Sequence, residues 1–183
     1  MLENAYTGNN AYGKMIVEER ACKERNIVMP KFEIFYQKKL KLTNVLSMTM
    51  TAEEMQDMTF AEKMENYIKS KGYQPIGPLV QYTSIQQNES GESEIVIKML
   101  RQSNGYITHA EQPYQMTAVL CVPDCLYLRF IGPQEKLGIA YSKLSVTAYE
   151  EDIPLVGSSY TVFVNQLDNE DIVADVFMEK VHD

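Results

Sequence analysis

Shifted against itself by eighty residues, the chain lays one hydrophobic pattern on another, and this internal repeat constrains the fold more than any single motif. Gly77 of Ile76-Gly77-Pro78 falls on Gly157 of Val156-Gly157-Ser158. Leu46, Met48 and Met50 fall on Leu126, Leu128 and Phe130, alternating apolar residues with the period of a half-buried strand. Ala61, Met64 and Ile68 fall on Tyr141, Leu144 and Ala148, with the i, i+3, i+7 spacing of a helix face. Identity between the halves is slight, so the duplication rests on the shared pattern.

Each half predicts strand, helix, strand, strand. In the first, Asn44 to Met50 is a strand and Ala52 to Lys71 a helix capped by Gly72, followed by strands at Leu79 to Ile85 and Glu94 to Leu100. The polar run Gln86 to Gly91 between the last two is a hairpin loop. In the second half, Gln115 to Ile131 holds the opening strand, interrupted near Pro123-Asp124. A helix over Glu135 to Glu150 and strands at Tyr160 to Val164 and Ile172 to Met178 follow. The expected organisation is an N-terminal extension (1–30) with a short helix around Ala11 to Lys23, a first module (31–102), a linker (103–114) and a second module (115–183), packed as one compact domain.

Composition narrows the function. Seventeen Lys and Arg against twenty-five Asp and Glu give a net charge of −8, with no basic cluster of the kind that phosphate backbones select, so nucleic acid is not an expected direct partner. The thirty residues before the repeat are too few for a three-helix DNA-reading domain. No stretch approaches the roughly 20 apolar residues of a membrane span, and Asn4, Asn9 and Asn10 stand where a secretory apolar region would be, so a cytoplasmic protein is expected. Cys22, Cys121 and Cys125 are an odd set without metal or redox spacing, and only His109 and His182 could join them; inert thiols, no metal and no cofactor are expected.

The order Arg129-Phe130-Ile131-Gly132-Pro133, helix, Asp152-Ile153-Pro154-Leu155-Val156-Gly157, strand Tyr160 to Val164, and Ala174-Asp175-Val176-Phe177-Met178-Glu179-Lys180 resembles the GyrI-like small-molecule-binding family. That family includes effector-binding domains of multidrug-responsive transcription regulators and stand-alone proteins. The resemblance is clearest over residues 115–181 and weaker over 38–101. It implies an α+β fold: two tandem β-α-β-β modules about a pseudo-twofold axis, an antiparallel-rich sheet with helices on one face and a ligand cleft on the other. It also implies an amphipathic, often cationic aromatic ligand and, in some members, hydrolysis of cyclopropane-bearing toxins. Asp175 stands where the family usually has a pocket Glu.

Strand alternation selects candidate site residues independently, because successive side chains point to opposite faces. If Val176, Met178, Ile95, Ile97, Met99, Leu126, Leu128 and Phe130 lie under the helices, the other face collects Glu94, Asp175, Tyr127, Phe177 and Arg129. A carboxylate among aromatic rings suits a cationic planar ligand. Each residue also has a plainer reading: Asp175 pairing with Arg129 across neighbouring strands, Glu94 solvated beside its loop, Tyr127 and Phe177 as filling. Tyr82 and Tyr160, on one alternation with Val80 and Val162, read as core, and the Met-rich first module as core before adaptable surface.

Enzyme signatures are mostly absent: there is no Gly-rich phosphate loop, no metal-ligand spacing and no Ser or Cys in a nucleophile motif. The leading expectation is a stand-alone protein that senses or sequesters a small amphipathic compound between its modules. The alternatives are a hydrolase of a reactive toxin using Asp175 or Glu94 as acid or base, and an adaptor for a protein partner.

Overall fold

Six antiparallel strands and two helices follow one another in a computed structural model that describes residues 32–51, 53–56, 59–87, 90–167 and 171–181. The order is β1 (Ile34–Met50), α1 (Thr59–Ser70), β2 (Pro75–Gln87), β3 (Ser93–Ser103), β4 (Tyr114–Pro133), α2 (Gly138–Glu150), β5 (Leu155–Gln166) and β6 (Asp171–Lys180). The strands close into a barrel in the order β1-β3-β2-β5-β6-β4, every pairing antiparallel. The chain is thus mostly antiparallel sheet with two helices, an α+β architecture. The expected N-terminal helix around Ala11 to Lys23 lies outside the described residues.

Alternation divides the apolar residues into one interior and two exterior clusters. All six strands contribute to the interior, through Leu42 and Val45 of β1, Val80, Leu100, Val122, Val162 and Phe177. Outside, α1 places Phe60, Met64 and Ile68 on Leu46, Met50 and Met99, while α2 places Ala140, Leu144 and Ala148 on Leu126, Leu128, Phe130, Ala174 and Val176. Their i, i+4, i+8 spacing gives each helix one stripe to bury, and burying it on the sheet holds helices this short together.

Both helices start later than the sequence pattern suggests. Thr51 and Glu54 cap one another reciprocally, the Thr51 N–H donating to Glu54 Oε2 (2.8 Å) and the Glu54 N–H to Thr51 Oγ1 (3.2 Å). That box opens a 3-10 turn at Glu54–Gln56 rather than the helix proper, and a matching turn, Gln134–Lys136, precedes α2. Gly72 closes α1 as expected, with φ of +84° and the Tyr73 N–H donating to the Ile68 carbonyl.

The strands are longer than expected. Residues 34–43 of β1 pair with β4, a partnership hidden because Asn44 (φ +50°) breaks the period of two: Leu40, Leu42 and Val45 all join the interior cluster. The interruption at Pro123-Asp124 is a register shift inside a continuous β4, between the Lys38–Cys125 and Leu40–Val122 pairs, where a bulge accommodates a residue with no N–H. Gly77 and Gly157, matched by the eighty-residue shift, both have positive φ (+65° and +89°), and each sits in a register break of its strand. Of the linker, Ser103 ends β3, Tyr114 begins β4, and Ile107 between them is buried against the α1 cluster.

Candidate functional site

Following the hydrogen-bonded register sideways around the barrel, Phe35, Tyr127, Phe177, Tyr160, Tyr82 and Lys98 stand directly opposite one another in succession. Five aromatic rings thus form one lateral row across β1, β4, β6, β5 and β2, ending on a lysine of β3. Ring centroids lie 5.7 Å apart for Phe35 and Tyr127, and 4.9 Å for both Tyr127–Phe177 and Tyr82–Tyr160, within the range of favourable edge or offset contact. The row runs from buried Phe177 and Tyr160 out to exposed Phe35, where the Lys38 ammonium sits 4.9 Å from the Phe35 ring centre and 5.6 Å from that of Tyr127.

Side chains fill most of the interior, but a cavity of about 240 Å³ remains at the Tyr82 end. Tyr82, Tyr160, Val45, Leu100 and Leu120 form its apolar wall, and Lys98, Ser47, Gln115 and Thr117 its polar edge. Tyr160 is buried and Tyr82 packs on the core, as their alternation suggests, yet that alternation points into the barrel and puts both rings on the cavity wall. Burial, with the nearby Tyr82 and Glu179, pushes the Tyr160 phenol far above its ordinary value, so it stays a neutral hydrogen-bonding group.

Three expected site residues meet one level away. Asp175 of β6 faces Arg129 of β4; the guanidinium donates to both carboxylate oxygens, Nε to Oδ1 at 2.7 Å and Nη2 to Oδ2 at 2.9 Å. The Tyr127 hydroxyl donates a third bond to Oδ1 at 2.9 Å. The Asp175 side chain is 14% exposed and that of Arg129 52%, so the pair sits at a rim with the acid inward. The hydrogen bond and charge of Asp175 raise the Arg129 pKa, while Tyr127 is raised first by burial and then by its bond to Asp175. Phe177 joins through its contact with Tyr127.

Glu94 does not join them. It pairs with Gln86 at the exposed end of the β2–β3 hairpin, six residues along β3 from Leu100, which stands level with Asp175; that offset is about 20 Å of strand. Its neighbours are Thr51 and Glu54 in a separate shallow concavity.

One carboxylate on the interior face escaped the sequence reading. Glu179, one alternation beyond Phe177, faces Cys125 in register and accepts a hydrogen bond from the Ser158 hydroxyl at 2.8 Å. Extending the Asp175-Phe177 alternation by one more step would have found it.

A second concavity, of about 320 Å³, lies outside the barrel between the two helical segments. Phe60, Leu79, Met99, Phe163 and Ile172 give it apolar walls, with Met55 and the amides of Gln81, Gln134, Asn165 and Gln166 around them. Among the described residues no group of His, Cys, Asp and Glu could hold a metal ion, and no helix is long and apolar enough to cross a membrane.

No family model matches the sequence, and no curated protein matches it. The fold does have counterparts among solved structures. The C-terminal domain of EcmrR superimposes with a TM-score of 0.60 at 13% identity, over 84% of this chain and 99% of that one. The EcmrR chain of a DNA complex gives 0.59 at 15% identity; the match covers 82% of this chain and only 58% of that chain. An uncharacterized conserved protein from Listeria innocua gives 0.57 at 9% identity, covering 82% and 92%, and a hydrolase encoded by lin2189 from the same organism 0.51 at 8%, covering 82% and 92%. At such identities the likeness is one of fold, and it bears out the GyrI-like resemblance at that level.

Proposed function

We propose that the chain binds an amphipathic aromatic small molecule on the interior row, entering at the cavity beside Tyr82 and Tyr160. The observation that carries this reading is the row itself: five rings aligned across five strands, with a cavity and a polar edge at one end. Three of the five rings are tyrosines, and ligand sites combine aromatic walls with a few placed polar groups. The reading takes the chain as two β-α-β-β halves about a pseudo-twofold axis. The equivalent glycines support this, as does the pairing of β2 with β5, the strands that the eighty-residue shift matches.

The charge preference follows from Asp175. Its carboxylate already holds Arg129, so a cationic ligand must displace a guanidinium that is half exposed and has solvent to swing into. The ring faces and Glu179 remain to attract a cation, and Lys98 opposes one at the cavity mouth.

Fluorescence titration with a planar cation, ethidium, and an aromatic anion, 1-anilinonaphthalene-8-sulfonate, tests the proposal in the full chain and in Tyr82→Leu. Saturable binding of either dye, weakened about tenfold by the substitution, agrees with it, a loss of about 1.4 kcal/mol. Absence of saturable binding, or equal affinity in the variant, removes the row as the site.

Hydrolysis by Asp175 is the second reading, favoured by the fold likeness to the Listeria hydrolase. Both oxygens of that carboxylate already accept hydrogen bonds, from Arg129 and the Tyr127 hydroxyl, so a substrate or water would have to displace them, and binding is the better supported activity.

A further inference from the structure

We infer that the outer concavity between the helical segments is a second binding site, for a flat, uncharged amphiphile that carries both a hydrogen-bond donor and an acceptor. The site follows from the strand order. With β1-β3-β2-β5-β6-β4 around the barrel, α1 buries its stripe on β1 and β3 and reaches Leu79 of β2, while α2 covers β4 and β6, with Leu155 and Phe163 of β5 packed at the edge of its cluster. The outer face of the β2–β5 seam lies between them and is covered only in part. Leu79 and Phe163 are direct cross-strand partners on that seam, both only half-buried, and Met99 and Phe60 close the side next to α1.

Half-buried apolar side chains there remain in contact with water. Each Å² of such surface covered by a ligand is worth about 25 cal/mol. The cavity's roughly 320 Å³ matches the lower end of small-molecule sites, the size of a fused two- or three-ring compound.

The polar lining sets the ligand's chemistry. Among the described residues no Asp, Glu, Lys, Arg or His lines the concavity; the polar groups there are four carboxamides, each offering a donor and an acceptor. Gln81, at the base, donates from Nε2 to Thr83 Oγ1 at 3.2 Å and keeps its carbonyl oxygen as an acceptor. An ion would lose its hydration here without a counter-charge, whereas a lactam or amide would exchange water for matched partners. This chemistry differs from that of the interior row, with its lysine, ion pair and phenols, so the second site stands or falls independently of the first.

Methionine methyls provide the readout, since Met55 and Met99 line the concavity while Met116 and Met178 do not. In a protein labelled with 13C at the methionine methyls, titration with 2-quinolone, a flat uncharged lactam, is expected to shift Met55 and Met99 saturably. The same titration on Asn165→Trp, an exposed rim position where an indole can cover the opening without disturbing the core, should lose the response, and on Tyr82→Leu should keep it. Unmoved Met55 and Met99 resonances overturn the inference, as does a response that survives Asn165→Trp and disappears with Tyr82→Leu.

Discussion

Asp175 and Arg129 face one another across β6 and β4 and are joined by two hydrogen bonds of 2.7 and 2.9 Å, with the Tyr127 hydroxyl adding a third at 2.9 Å. The acid expected to greet a cationic ligand is therefore already satisfied by the protein itself. On the proposed reading a cationic ligand would compete with Arg129 for this acid, and the guanidinium is half exposed.

Removing that competitor should strengthen binding of a cation. In Arg129→Gln, Asp175 keeps only the Tyr127 hydroxyl as a described side-chain partner, and ethidium affinity should rise about tenfold, equivalent to about 1.4 kcal/mol. Asp175→Asn should lower it below that of the unsubstituted chain. Fluorescence titration of the three proteins at one ionic strength checks the order.

Asp175→Asn also removes charge-assisted hydrogen bonds from a mostly buried group. A cost of about 1–2 kcal/mol follows, lowering Tm by about 3–6 °C in calorimetry. In the same variant the Tyr127 phenol should titrate lower than before but still above its ordinary value, because burial is the larger cause of its shift.

Cys125 gives a pH signature. Burial raises its thiol pKa from about 9 to about 11, so the folded chain holds this proton through a range in which the unfolded chain releases it. The unfolded state then binds fewer protons, and stability falls as pH rises between about 9 and 11. Denaturant titrations across that range should show the decline, and Cys125→Ala should flatten its early part. At pH 8 iodoacetamide should alkylate exposed Cys121 and leave buried Cys125 unmodified in peptide maps of the folded protein.

Two glycines should respond oppositely to alanine. Gly157 has φ of +89°, where a Cβ is strained although nothing stands within 4 Å, so Gly157→Ala should cost about 1 kcal/mol. Gly138 opens α2 at ordinary φ with equally open surroundings, and Gly138→Ala should stabilise by up to about 1 kcal/mol. Chemical denaturation of both variants measures the difference.

Much of this arrangement could be read from sequence because hydrophobic periodicity reports burial directly. Leu126, Leu128 and Phe130 lie under α2, and Met64 and Ile68 form the buried stripe of α1, where their spacing put them, and Gly77 and Gly157 both take positive φ. The first half of β1 stayed hidden because a positive φ at Asn44 shifts the alternation by one residue. Closure into a barrel was hidden as well, since it depends on which strands meet at the ends of the sheet, and alternation says only which faces are buried. That gap explains the aromatic row: Tyr82 and Tyr160 share an alternation with core valines, and only the lateral register reveals that their rings align with Tyr127 and Phe177. Glu94 was grouped with Asp175 by face alone, and register separates them.

The most direct test of the interior site is an NMR titration of the chain, 13C-labelled at its tyrosine rings, with ethidium and with 1-anilinonaphthalene-8-sulfonate. With a ligand on the row, one dye should move the Tyr82, Tyr127 and Tyr160 resonances together and saturably while exposed Tyr149, on α2, stays in place. Shifts confined to tyrosines outside the row, or no shift at saturating dye, would contradict it.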